Sequence, residues 1–348
     1  MKKKCIAVFL AVAATLSLSG CNLSVMGNQP EPVENEADFQ PVVLKFSNQH
    51  PANSVASETD QRICDRIAEA TDGRVTVQLY TDSSLGDYTS VWDEVMVGSI
   101  DIAHTTPVET YNQKMSASML PYLGSTYEEL ARAYSPDNYL YQQIAEAQDE
   151  IGLHFFGFFC EGYNGFGMGK EIKNATDPSQ DKGVVVRSPG ATIYSKGAKG
   201  LGFRTSSIAY SDTYTAIQTG VVDGWLGGPA NLNYLYFRDV INTFYDYHYN
   251  QESTLVYMNK KRFESLLPKD QEAIQQIFEE ECAGTVQSAQ EDDQKYKDML
   301  KEAGVEVVEF SDEELENFAS HVRENVCPEF ANSFGQEFLD NVAASVNQ

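Results

Sequence analysis

Positive charge is scarce in this chain. Lys and Arg together number 25 against 51 Asp and Glu, a formal net charge of −26 over 348 residues. Nucleic acid and anionic membrane surfaces attract basic faces, so neither is expected to partner the folded body. Histidine is scarcer still, with five in all. None stands in HExxH, and no GxSxG occurs, so metalloprotease and serine-hydrolase signatures are missing. The six cysteines form no CxxC and have no histidine at zinc-ligand spacing. Glycine, at 24, is too sparse for collagen, and a single long apolar run excludes a multi-span membrane protein. What is present is a globular balance, 42% hydrophobic and 22% charged. The chain is longer than the roughly 250–300 residues one hydrophobic core serves, so two domains are expected.

The apolar run opens the chain. Met1-Lys2-Lys3-Lys4 is basic, and Ile6 to Leu18 is apolar but short for a bilayer. It ends in Leu18-Ser19-Gly20-Cys21, the pattern of a bacterial lipobox, whose cysteine takes diacylglycerol and becomes the new N-terminus. Residues 1–20 are expected to be a lipoprotein signal peptide and Cys21 the lipidation site. Losing residues 1–20, with three Lys and no acid, takes the net charge from −26 to −29. Residues 21–40 are polar and carry Pro30 and Pro32, the composition of a tether. The protein is expected to be exported and lipid-anchored, at the outer face of the cytoplasmic membrane or in the periplasm. Cys5 leaves with the leader. Of Cys64, Cys160, Cys282 and Cys327, the first and third are expected as buried thiols on apolar helix faces, with a Cys282–Cys327 bridge the alternative.

Further on, Val42–Phe46, Val75–Leu79 and Ile100–Ala103 read as strands separated by helices at Ser54–Thr71 and after Gly86-Asp87. This β-α-β-α-β run implies an α/β fold with a parallel sheet. A second α/β stretch begins at the apolar strand Val184-Val185-Val186, after which Ser188-Pro189 is expected to start a helix. Lys269 to Ala303 reads as one helix of about 52 Å, long enough to brace two domains. Ser311 to Glu314 reads as a capping box. Gly165-Phe166-Gly167-Met168-Gly169-Lys170 fails the Walker pattern at Asn164 and Glu171 and reads as a mobile glycine-rich turn. Glu279–Glu281 and Glu291–Asp293 lack a calcium-loop pattern and read as solvated helix faces. No nucleophile–base set is visible. The protein is expected not to be an enzyme and to need no cofactor or metal.

Arg187 follows Val184-Val185-Val186 and so stands at the carboxyl end of a buried parallel strand, where open α/β sheets bind ligands. Its planar, permanently charged fork matches a carboxylate. An interdomain salt bridge is the bland alternative.

Val185-Val186-Arg187-Ser188-Pro189, followed by Tyr210-Ser211-Asp212-Thr213-Tyr214-Thr215-Ala216-Ile217-Gln218-Thr219-Gly220-Val221-Val222-Asp223-Gly224, resembles the DctP family, the extracytoplasmic solute receptors of TRAP (tripartite ATP-independent periplasmic) transporters. Thr71–Val75, Leu85-Gly86, Val97–Asp101, Leu120-Pro121-Tyr122 and Leu267–Gln271 extend the likeness over nearly all of the body. The resemblance implies a two-lobed type II periplasmic-binding-protein fold with a long helix bracing both lobes. Residues 41–162 and about 250–290 would form lobe I, and 163–249 and about 291–348 lobe II. It also implies closure around a small organic acid whose carboxylate Arg187 holds, and TRAP membrane subunits as partners. An ABC-type or signalling receptor on the same fold is the alternative.

Two departures stand out. Many family members carry a ligand-touching Asn-Pro soon after Val-Asp-Gly; here the text is Trp225-Leu226-Gly227-Gly228-Pro229, with Asn231 a candidate replacement. Many also place Arg after a Gly-Phe in the crossover, where this chain has Gly167. The missing second cation argues for a monocarboxylate. Tyr163, Phe166, Tyr210, Trp225, Tyr234 and Tyr236 make the region aromatic, and Trp225 beside Gly227-Gly228 is expected to stack on a flat ligand group. Glu161 and Asn164 are candidates from the crossover. Of Gln49 and His50 after the first strand, and Thr105 and Thr106 after the third, His50 and Thr105 are preferred. The expected ligand set is Arg187, Trp225, Tyr210, Glu161, Asn164, Asn231, His50 and Thr105.

Overall fold

The computed structural model describes residues 36–346. The expected leader, Cys21 and most of the tether lie outside them. In chain order the strands are β1 (Val42–Asn48), β2 (Val75–Tyr80), β3 (Ile102–Thr105), β4 (Leu153–Tyr163), β5 (Gly165–Met168), β6 (Val185–Ser188), β7 (Arg204–Ser207), β8 (Gly224–Gly228), β9 (Thr243–Asp246), β10 (Gln251–Asn259) and β11 (Glu306–Glu309). They build two sheets, ordered β2-β1-β3-β10-β4 and β11-β9-β5-β8-β6-β7.

In the first sheet β1 runs parallel to β2 and β3. Ser54 caps the helix Val55–Ala70 by accepting from the Ser57 amide at 3.1 Å. Asp87 caps Tyr88–Val97, and Gly98 ends that helix in the left-handed region at φ 81°. Each such cap contributes about 1 kcal/mol. Ile63, Cys64 and Ile67 then pack with Leu44, Phe46 and Val75. In the second sheet β6 runs parallel to β7 and β8.

Only Asn164 separates β4 from β5, so the chain changes sheets within one residue. It returns through residues 247–250, between β9 and β10. The two crossings bond to each other, Asn164 N–H to Asn250 O at 2.7 Å and Tyr249 N–H to Asn164 O at 3.0 Å. The helix Pro268–Glu302, 35 residues long, runs alongside both lobes. Ile274, Phe278 and Cys282 pack in the first core with Phe156 and Phe159. Tyr296 and Leu300 pack in the second with Trp225 and Phe244. Near its end the buried Lys297 pairs with Asp246 and, at 2.7 Å, with Asp293. Among the described residues no helix is long and apolar enough to cross a membrane.

Four expectations need correction or completion. Gly165–Met168 is no mobile turn but the buried strand β5, held between β8 and β9. Its glycines permit close packing: a Cβ on Gly167 would lie 2.1 Å from Asn233 Oδ1. The helix expected at Ser188-Pro189 begins at Thr192, because β6 continues through Ser188. The final helix Gln336–Val346, expected with lobe II, packs on helices Tyr127–Ala133 and Tyr139–Glu150, which lead into β4. Cys64, Cys160, Cys282 and Cys327 are all free thiols, and the first three are buried. The capping box at Ser311 and Glu314 is present.

Candidate functional site

Arg187 is delivered by β6, where Val186 packs into the core and the guanidinium ends between the lobes. It is 2% exposed. Its Nε donates to Ile208 O at 3.0 Å, and its Cζ lies 5.7 Å from the centre of the Tyr210 ring. No described carboxylate forms an ion pair with it, which leaves a buried cation without a compensating anion. Burial pulls its pKa below the ordinary guanidinium value, against Tyr88, Tyr210, Tyr194 and Glu252.

Arg187 lines a narrow, nearly closed cavity with Pro189, Tyr210, Gly227 and Leu232 from the second lobe and Gln49, Tyr88, Thr106 and Glu252 from the first. The Tyr210 hydroxyl is buried with no hydrogen-bond partner among the described residues. Gln49 and Thr106 bond to each other twice, Nε2 to Oγ1 at 2.8 Å and Thr106 N–H to Oε1 at 2.9 Å. The lobes also meet beyond the cavity, where Thr192 N–H donates to Glu109 Oε1 at 2.8 Å. That carboxylate accepts from the first amide of the helix Thr192–Gly200.

Behind the cavity a ring of hydrogen bonds is closed entirely in the interior of the first lobe. Glu161 Oε1 meets His50 Nε2 at 2.8 Å, and His50 Nδ1 meets Asn48 Oδ1 at 2.6 Å. Asn48 Nδ2 donates to Asp60 Oδ2 at 2.5 Å, which meets His104 Nδ1 at 2.9 Å. His104 Nε2 meets Thr254 Oγ1 at 2.7 Å, and Thr254 donates back to Glu161 at 3.1 Å. Burial opposes the charged form of His50, but the Glu161 carboxylate wins and raises its pKa. Opposite β10 the register jumps from Gly162 to Cys160, so Glu161 is the extra residue of a β-bulge. Bulges re-aim side chains, and this one sets Glu161 within electrostatic reach of Glu252. Burial and Glu161 push the Glu252 carboxyl up to about 8, against hydrogen bonds from Asn164 and Tyr194.

The structure therefore sorts the expected residues. Arg187 and Tyr210 line the cavity. Asn164 reaches Glu252 Oε2 at 2.7 Å and so acts through that carboxyl. Glu161 and His50 lie in the interior ring. Thr105 points away and bonds the Tyr257 hydroxyl at 2.9 Å, while its neighbour Thr106 faces the cavity. Successive residues of an extended chain face opposite ways, so Thr105, the last of β3, and Thr106, just past it, take opposite sides. Asn231 accepts from its neighbour Leu232 N–H at 2.6 Å and lines a separate narrow cleft beside the long helix.

Trp225 is not brought to the cavity. It is wholly buried, its Nε1 donates to Asn233 Oδ1 at 2.9 Å, and its ring centre lies 4.2 Å from that of Phe237. The room expected beside it for a ligand is filled by the indole itself: a Cβ on Gly228 would lie 2.2 Å from Trp225 Cη2. Sequence reasoning missed Tyr88, Gly227, Leu232 and Glu252. Glu252 carried a usable signal, an acid opening the otherwise uncharged strand Gln251–Asn259.

Two lobes joined by paired crossings, with a cavity between them lined from both, define a solute-binding protein of the two-lobed periplasmic type. Residues 46–332 match the model of the bacterial extracellular solute-binding protein family 7, DctP, and the chain belongs to that family. This is a family of binding receptors rather than enzymes. Among its relatives is the sialic acid-binding periplasmic protein SiaP of Vibrio cholerae, 23% identical over 86% of this chain and 92% of that one. Another is the C4-dicarboxylate-binding periplasmic protein DctP of Rhodobacter capsulatus, 23% identical over 88% and 91%. The fold is shared with the sugar acid binding protein DctPAm of Advenella mimigardefordensis in complex with galactonate. That structure has a TM-score of 0.81, 18% identity, and coverage of 89% of this chain and 99% of the other.

Proposed function

We propose that this protein is an extracytoplasmic receptor that captures a small organic acid by lobe closure and delivers it to a TRAP transporter. One observation carries the reading: a buried guanidinium, Arg187, with no described carboxylate partner, facing a cavity between two lobes. The names of the relatives support it, since sialic acid, a C4-dicarboxylate and galactonate all present a carboxylate. Arg187 is the one Lys or Arg among the described lining residues, which favours a monocarboxylate. The bodies that close are residues 41–162 with about 250–290, and 163–249 with about 291–348, the final helix excepted. They pivot where Asn164 meets Asn250.

Cys21 carries the lipid that holds the receptor at the membrane. A Cys21→Ser variant leaves the membrane fraction on this account; a variant that stays bound, beside a wild type without lipid by mass, contradicts it. The receptor reading itself is tested by mass spectrometry of solute released from purified protein. An unchanged organic acid supports it, whereas a neutral solute or a turned-over product sinks it.

A further inference from the structure

The cavity holds two buried groups of opposite charge type that do not touch. Arg187 comes from β6 in the second lobe and Glu252 from β10 in the first. Each lines the same space and Glu252 acts on the Arg187 charge, yet no ion pair joins them among the described residues. Leaving such groups apart in a desolvated interior is costly, unless something between them satisfies both. Both hydrogen bonds to Glu252, from Asn164 at 2.7 Å and Tyr194 at 2.9 Å, fall on Oε2. No described group donates to Oε1. The Tyr210 hydroxyl between the two lobes is likewise unpartnered.

We infer that the solute carries a protonated amine beside its carboxylate, with the carboxylate on Arg187 and the ammonium on Glu252 Oε1. This rests on Arg187 as the carboxylate clamp and adds a second anchor of opposite sign. It names the class of solute as a small amino acid, admitted when the lobes part, because the cavity between them is narrow and nearly closed. It also fits the single cation of the lining, since Glu252 gives a second carboxylate no positive partner.

The groups facing Glu252 give the inference a distinct pH signature. They are Glu161 on β4, His50 after β1, Asn164 at the crossing, Tyr194 on helix Thr192–Gly200, and Arg187 with Tyr88 across the cavity. With Glu252 pushed up to about 8, its carboxyl is largely protonated at neutral pH. An arriving ammonium makes the ionised form the better partner, so the proton leaves Glu252 for solvent as the amino acid binds. Amino-acid affinity therefore rises between about pH 6 and 8, and uptake releases a proton. An acid without an amine gains nothing from ionised Glu252 and binds more weakly across the same range.

Calorimetry on the full mature chain tests this with the twenty common L-amino acids, their desamino acids and their amides, at pH 6 and pH 8. The expected result is at least one amino acid that binds about tenfold or more tightly than its desamino acid and its amide. Its affinity is higher at pH 8, and its binding enthalpy varies with the buffer's heat of ionisation. Glu252→Gln, which keeps a carbonyl oxygen for Asn164 and Tyr194, is expected to erase the preference over the desamino acid. Amine-free carboxylates that bind as well as amino acids overturn the inference while leaving the Arg187 clamp standing. Amides that bind as well as acids overturn the clamp itself. Silence from every amino acid at both pH values overturns the inference, as does a Glu252→Gln variant that weakens amino and desamino acids equally.

Discussion

Asn164 and Asn250 meet where the two interlobe crossings run side by side, backbone to backbone at 2.7 Å and side chain to side chain at 3.0 Å. Both are wholly buried. The same Asn164 amide reaches Glu252 at 2.7 Å, so one side chain ties the paired crossings to the carboxyl that lines the cavity. Asn164→Ala leaves buried Asn250 Oδ1 without its described donor, at a cost of about 1–3 kcal/mol, while Glu252 Oε2 keeps the Tyr194 hydroxyl. Thermal melts are expected to show a lower Tm for the variant. An unchanged Tm would mean that the crossings are held by backbone bonds alone.

Glu252 makes stability depend on pH. Its pKa lies above the ordinary 4.5, at about 8, so the folded state binds its proton more tightly than the unfolded state does. That contribution is complete below about 4.5 and is lost as pH rises through about 8. His50, also raised, acts in the same direction. Denaturant melts of the solute-free protein are expected to show stability falling from pH 5 to pH 9, and less steeply in Glu252→Gln. Equal slopes in the two proteins would contradict the assignment.

Much of the scaffold was legible because it obeys simple periods. Val42–Phe46 and Val75–Leu79 alternate as strands, Gly98 marks a helix end, and the long helix keeps its apolar stripe from Ile274 to Leu300. Arg187 was legible because an apolar run ends in it. The cavity's other wall was not. Thr105 closes β3 and Thr106 lies just past it on the opposite side, and where β3 ends depends on its pairing with β10, more than a hundred residues away. Glu161 owes its position to a bulge, which no local pattern announces. Gly165–Met168 looked like a turn because its glycines serve partners, Trp225 and Phe244, that meet them only in three dimensions.

Trp225 packs the second lobe and does not touch the cavity. Trp225→Phe forfeits the bond to Asn233 and leaves a void beside Gly228, at a cost of about 1–3 kcal/mol. Its Tm is expected to fall while solute affinity in the folded protein stays the same. A large affinity loss without a stability loss would return the indole to the site.

Glu109 joins the lobes by accepting from the Thr192 amide at 2.8 Å and its hydroxyl at 3.3 Å. The contact is exposed, and a helix-end bond of this kind is worth about 0.5–2 kcal/mol. Glu109→Ala is therefore expected to weaken solute binding several-fold, chiefly through faster release, with little change in Tm. Stopped-flow release rates check it, and an unaltered rate would show that the bond does not oppose reopening.

Arg187→Lys asks whether the guanidinium clamps the carboxylate of the solute. Lysine keeps the charge and loses the planar fork, along with the geometry of the bond to Ile208 O. The measurement is calorimetry of that variant with the solute recovered from the wild type, beside its melting curve. Affinity is expected to be at least about tenfold lower, the worth of one charge-assisted hydrogen bond, with the fold retained. Unchanged affinity together with a lowered Tm would contradict it and make Arg187 a structural residue between the lobes.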